Sequence, residues 1–101
     1  MDIKKVAVIG GGTMGNGIAH VFAMSGMKVN LAETKQEYAD RALATITKNL
    51  DRMLNKEKID EQTKTQTLRN ISVHLDVTKA VASVDLVIEA VTENLEIKKS
   101  V

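Results

Sequence analysis

The amino-acid sequence predicts an α/β fold built on a doubly wound parallel sheet, and three observations carry that prediction. Short runs rich in β-branched residues alternate with stretches of helical period. A cluster of glycines follows the first run without a gap. The spacing between runs suits parallel βαβ units with right-handed crossovers. A length of 101 residues, 44% of them hydrophobic and 27% charged, fits one small globular domain and leaves no room for a second.

Each element follows in order. Ile3 to Ile9 reads as a buried strand that ends in a tight turn at Gly10, Gly11 and Gly12. From Met14 the apolar residues Met14, Ile18, Val21 and Phe22 recur at helical spacing, and Gly26 stands where a left-handed helix stop is usual. Lys28 to Ala32 is a second short strand. The polar stretch Glu33 to Gln36 then leads into a long amphipathic helix whose apolar members are Ala39, Ala42, Leu43, Ile46, Leu50, Met53 and Leu54. Asn55 to Asn70, with Ile59 and Leu68 as its apolar anchors, reads as a helix-loop excursion on the surface. Ile71 to Leu75 is a third strand and Val77 to Ala82 a short helix. Asp85 to Val91 is a fourth strand that feeds a further helix. The strand order expected is 3-2-1-4.

Composition removes several functions. Without cysteine, disulfides, zinc-thiolate sites, iron-sulfur ligation and cysteine nucleophiles are excluded. His20 and His74 lie far apart and in no ligand spacing, so each reads as a packed or surface histidine and no metal site is expected. Fourteen basic against 13 acidic residues leave a net charge of +1, too small for a general nucleic-acid binder. Phe22 and Tyr38 are the only aromatics, too few for a base-stacking platform. No apolar run approaches the ~20 residues of a membrane span, and a cytoplasmic location is expected.

Gly10, Gly12 and Gly15 form G-x-G-x-x-G between a buried strand and a helix, and Glu33 stands at the end of the second strand, 18 residues after Gly15. This is the arrangement of a Rossmann-type dinucleotide site. Gly10 permits the sharp turn, Gly12 lets a pyrophosphate approach the backbone, and Gly15 lets the helix pack close. The helix N-terminus offers N–H groups and partial positive charge to the phosphates. A carboxylate at Glu33 accepts from the adenosine ribose hydroxyls and repels the extra phosphate of NADP, which favours NAD. Lys35, two residues on, keeps an NADP reading open, and FAD proteins use a similar turn.

The run VIGGGTMGNGIA, Val8 to Ala19, resembles the start of the 3-hydroxyacyl-CoA dehydrogenase family, whose pattern G-x-G-x-M-G-x-G-I-A is met at Gly10, Gly12, Met14, Gly15, Gly17, Ile18 and Ala19. A second block, DLVIEAVTENLEIKK from Asp85 to Lys99, is similar to that family's fourth-strand segment. The resemblance implies that Gly10, Gly11, Gly12, Thr13, Met14 and Gly15 cradle the NAD pyrophosphate, that Glu33 takes the ribose-binding position, and that Glu93 and Lys98 line the cofactor site. Glu89, earlier in the same strand, is expected to serve local backbone or solvent. Lys56 matches a family lysine that binds coenzyme A, and Asn49 stands at the position of its companion serine.

Arg41, Lys48, Arg52 and Lys56 also form one basic stripe on the long helix, able to steer CoA phosphates. The implied parent is an NAD-dependent oxidoreductase, a homodimer acting on (S)-3-hydroxyacyl-CoA, of which residues 1–101 are the N-terminal part of the Rossmann-type domain. The remainder of that domain and a helical C-terminal domain are expected beyond residue 101, together with every catalytic residue. A free-standing NAD(H)-sensing module is the alternative.

Overall fold

The computed structural model describes residues 3–10, 13–91 and 94–99, apart from the side chains of 13, 14, 91, 94–96, 98 and 99. Its centre is β1 (Lys5–Ile9), in which Val6, Ala7 and Val8 are wholly buried because both faces of the sheet are covered. β2 (Lys28–Ala32) pairs with it in parallel on one side and β4 (Leu86–Val91) on the other. β3 (Ile71–His74) extends the sheet beyond β2, and the expected order 3-2-1-4 is found.

That order places the helices. Right-handed crossovers moving outward from β1 through β2 to β3 put α1 (Thr13–Met24), α2 (Gln36–Asn55) and α3 (Glu61–Arg69) on one face. The return from β3 across to β4 puts α4 (Val77–Val81) on the other. The main core forms on the first face: Val6, Val8, Val29, Leu31, Ile71 and Ile88 meet Ala19 and Ala23 of α1 and Ala42, Ile46 and Leu50 of α2. On the second face a buried asparagine does the joining, as Asn30 Nδ2 donates to the Ala80 carbonyl at 2.9 Å.

Three expectations need correction. Val21, counted in the apolar rhythm of the first helix, is 62% exposed. Ile18 and Phe22 pack on the core as expected, but the innermost line of α1 is Gly15, Ala19 and Ala23, small residues at i, i+4 and i+8 where the helix approaches the strands most closely.

The segment Asn55 to Asn70 is the expected helix and loop, with Ile59 and Leu68 packed on the core, but it is more than a surface excursion. Its helix α3 packs on α1, α2 and β3, with Thr67 and Asn70 buried and satisfied. Thr67 Oγ1 donates to the Thr63 carbonyl at 2.7 Å, and Asn70 Nδ2 donates to the Ala23 carbonyl at 2.9 Å while its Oδ1 accepts from Lys28 Nζ at 3.0 Å. An ion pair between Lys64 and Asp51 ties α3 to α2 and raises the Lys64 pKa.

The third correction is at the end of the chain, where β5 (Asn94–Lys99) replaces the expected helix and runs antiparallel to β4. Leu95 and Ile97 alternate with polar residues as a strand requires, and the pairing occupies the hydrogen-bonding edge that β4 turns away from β1.

One carboxylate ties together the amino ends of β1 and β4. Asp85 Oδ2 accepts from the N–H groups of Lys4 and Lys5 at 2.9 and 3.0 Å, and these bonds hold its pKa below the ordinary aspartate value. A depressed native pKa means stability that is present above the unfolded value, about 4, and lost as pH falls through the native one. Asp85→Ala is therefore expected to lower the melting temperature at neutral pH and to flatten its decline on acidification, read by circular dichroism from pH 7 to 3. A mutant as stable as the parent at neutral pH, with the same acid slope, would contradict this role.

Candidate functional site at the carboxyl edge of the sheet

The winding of the sheet reverses at β1, so β1 and β4 end side by side at a topological switch point, the position of the crevice in which open parallel sheets bind ligands. Gly10 is the first residue past β1. Its φ of +91° lies in the region that side chains disfavour, and a Cβ built on it would fall inside contact distance of the Ala90 carbonyl oxygen. A Cβ on Gly15 would collide with the Gly10 carbonyl and stand 3.6 Å from the Ala90 methyl. Two of the three motif glycines are thus required by close backbone approach, as the spacing predicted. By contrast, a Cβ on Gly17 would meet nothing within 4 Å.

α1 begins three residues after Gly10, with its positive end toward the crevice. Ala90, small among the bulkier residues of LVIEAV, is the site residue that sequence reasoning passed over, because its partners Gly10 and Gly15 lie on other elements.

Glu33 is brought to the same edge. Gly10 N–H donates to the Ala32 carbonyl at 2.9 Å, continuing the β1–β2 ladder one residue past the strand, and Glu33 N–H donates to the His74 carbonyl at 3.0 Å. The backbone of Glu33 is therefore pinned next to the glycine turn, with its side chain half-buried. Glu89, in register with Ile9 and also half-buried, completes the rim beside Ala90. A half-buried carboxylate one strand from a glycine turn and a helix N-terminus fits a dinucleotide, the turn taking phosphates and the carboxylate ribose hydroxyls.

Not every expected residue arrives there. Gly11, Gly12 and Glu93 lie outside the described residues, as do the side chains of Thr13, Met14 and Lys98. The backbone of Lys98 is in β5, in register with Val87, and thus toward the opposite end of β4 from Gly10. Asn49 is half-buried on α2, and Lys56 is exposed at that helix's C-cap, its N–H donating to the Arg52 carbonyl while Glu57 N–H donates to that of Leu54. A 20-residue helix rises ~30 Å, so Lys56 stands at the far end of α2 from Glu33.

Arg41, Lys48 and Arg52 are exposed as the stripe requires, but Arg41 pairs with Glu37 at 3.3 Å, which neutralises its first member. His20 is buried in α1 with its pKa lowered by desolvation, and His74 ends β3. Neither is on a strand that borders the β1–β4 crevice. Asn16, one turn before His20, is buried too, and its Oδ1 has no hydrogen-bond partner among the described residues.

With this geometry in view, the likeness to known proteins is extensive. A 3-hydroxybutyryl-CoA dehydrogenase of Bradyrhizobium diazoefficiens is 42% identical over 99 residues, covering 98% of this chain and 33% of its own length. The mitochondrial hydroxyacyl-coenzyme A dehydrogenase of Rattus norvegicus is 39% identical over 101 residues, with 95% and 32% covered. The crystal structure of 3-hydroxybutyryl-CoA dehydrogenase from Escherichia coli superposes with a TM-score of 0.87 at 38% identity, over 93% of this chain and 20% of that one. The chain thus spans about a third or less of the length of these relatives. The family described as 3-hydroxyacyl-CoA dehydrogenase, NAD binding domain, matches residues 5–101, the glycine turn and Glu33 included, and the chain belongs to that family of NAD-binding domains.

Proposed function

We propose that this chain is the cofactor-binding part of an oxidoreductase that interconverts (S)-3-hydroxyacyl-CoA, 3-hydroxybutyryl-CoA foremost, and 3-oxoacyl-CoA. The observation that carries the reading is the strand–turn–helix at Gly10 to Gly15, set at the sheet's switch point with Glu33 pinned one strand away. Short-chain substrates are favoured because relatives named for 3-hydroxybutyryl-CoA recur in both comparisons. A place in fatty-acid oxidation or butyrate metabolism accords with the relatives named for β-oxidation. A cytoplasmic homodimer is the assembly we propose.

NAD, when bound, accepts or returns the hydride at carbon 3. This chain's residues bind and orient it: Gly10, Gly11, Gly12, Thr13, Met14 and Gly15 hold the pyrophosphate, Glu33 the adenosine ribose, and Glu93 the cofactor's other flank, a role withheld from Lys98 because its backbone lies toward the opposite end of β4. Asn49 and Lys56 take the CoA moiety, with Arg52 and Lys48 steering its phosphates. No residue of the chain is assigned the proton transfer. Such a base must lie within hydrogen-bond reach of the substrate hydroxyl, and His20 is enclosed in α1 packing.

Calorimetric titration with NADH and NADPH, joined to an acetoacetyl-CoA reduction assay followed by NADH absorbance, tests both halves of this reading. NADH is expected to bind about tenfold or more tighter than NADPH, one charge-assisted contact being worth roughly 1.5–3 kcal/mol, and no NADH is expected to be consumed. Equal or tighter NADPH binding would refute the role of Glu33. Turnover by the chain alone would mean that a catalytic base lies within it.

A further inference from the structure

The first two cations along the chain after Glu33 are Lys35 and Arg41, and both are held by one aromatic ring. Lys35 Nζ stands 5.6 Å from the centroid of the Tyr38 ring and the Arg41 guanidinium carbon 5.9 Å from it, each within the range of a cation–π attraction. Arg41 is held a second time by Glu37 at 3.3 Å. Lys35 occupies the N-cap position of α2 with extended backbone, where its ammonium, a donor only, cannot cap the helix N–H groups. Tyr38 itself is 38% exposed, more than a ring serving the core would be. Residues 33–41 carry three acids, Glu33, Glu37 and Asp40, against these two cations, which leaves the segment net negative. Asp40 in turn accepts from Gln36 Nε2 at 2.8 Å.

A ribose whose 2′-hydroxyl meets Glu33 would carry, in NADP, a phosphate at that same oxygen. Lys35 and Arg41, the first cations along the chain after Glu33, are the ones Tyr38 has engaged. We propose that Tyr38 is a specificity-determining residue for the dinucleotide: its ring draws Lys35 and Arg41 onto itself and withholds both from a 2′-phosphate. It is a second barrier to NADP behind the carboxylate. This inference rests on the ribose-binding role proposed for Glu33.

The test is titration of the full chain with NADH and NADPH in wild type, Tyr38→Leu, Tyr38→Gln, Tyr38→Phe and Glu33→Gln. The two ringless variants are expected to bind NADPH about three- to tenfold tighter, the scale of one or two released cation–π contacts, with NADH affinity unchanged. Tyr38→Phe keeps the ring face and is expected to behave as wild type. Adding Lys35→Ala to Tyr38→Leu should remove the gain, which a mere loosening of α2 would not do. Circular dichroism confirms that each variant is folded, and Tyr38→Gln serves where Tyr38→Leu does not fold. If Glu33→Gln relaxes the discrimination while both ringless variants leave NADPH affinity unchanged, Tyr38 has no such role and the Glu33 reading stands. If Glu33→Gln alters neither dinucleotide's affinity, the ribose reading fails and this inference with it.

Discussion

Gly15→Ala is expected to destabilise the chain by several kcal/mol and to abolish NADH binding, although it adds one methyl group. The new Cβ would collide with the Gly10 carbonyl, a backbone atom that cannot rotate away. Relief requires α1 to move off the sheet, and α1 carries Ala19 and Ala23 into the main core against Val6, Val8 and Ile88. Overpacking of this kind commonly costs about 1–3 kcal/mol where side chains can yield, and more where backbone must. Total stability of small domains is only about 5–15 kcal/mol, so a large fraction would be lost. The same movement displaces the helix N-terminus from the β1–β4 crevice and dismantles the anion site. Gly17→Ala is the matched control: with open space around the position, it is expected to be neutral or to stabilise by up to ~1 kcal/mol. Urea denaturation and NADH titration on both variants decide the matter. A Gly15→Ala chain as stable as Gly17→Ala would show that helix and turn do not approach as closely as described.

Glu33→Ala is expected to weaken NADH binding by roughly 10- to 100-fold and to erase most of the preference over NADPH. A hydrogen bond to a charged acceptor contributes about 1.5–3 kcal/mol, and a carboxylate can accept from both ribose hydroxyls. The backbone of Glu33 is fixed by its N–H bond to the His74 carbonyl, so the change should act on the side chain alone and leave the fold intact. Glu33→Asp keeps the charge with a shorter reach and should recover most of the discrimination. NADPH affinity is expected to hold or rise in Glu33→Ala, because a negative charge has been removed from a place where a phosphate would sit. Parallel loss of both dinucleotides would instead indicate that Glu33 supports the turn rather than reads the ribose.

Much of the site is legible in local sequence because its demands are local. Gly10 needs a positive φ, Gly26 likewise with φ +104°, and the β-branched runs flanking them identify their strands. Glu33 is legible because it closes a short strand whose neighbour ends in the glycine turn, and parallel register brings Ala32 beside Ile9. Ala90 is illegible for the opposite reason: its importance comes from Gly10 and Gly15, 80 and 75 residues away along the chain. The pairing of Lys35 and Arg41 with Tyr38 lies between these cases, since helical spacing puts the three on one face but only side-chain geometry shows that the ring engages both cations.

By itself, the sequence determined the alternation of strands and helices and the placing of the glycine turn before a helix, both of which follow from the conformational preferences of a few adjacent residues. The strand order 3-2-1-4 came with the Rossmann-type reading of the glycine motif. The tertiary structure alone decided which face of α1 is buried, that Val21 looks outward, that Thr67 and Asn70 are interior, and that the last described residues pair as β5. Burial and hydrogen-bond satisfaction depend on which neighbour arrives. A helical period marks Ile18, Val21 and Phe22 as apolar without saying how near the strands will come, and the close approach of Gly15 to Gly10 leaves Ala19 and Ala23 fully enclosed, Ile18 and Phe22 at the margin of the core and Val21 outside it.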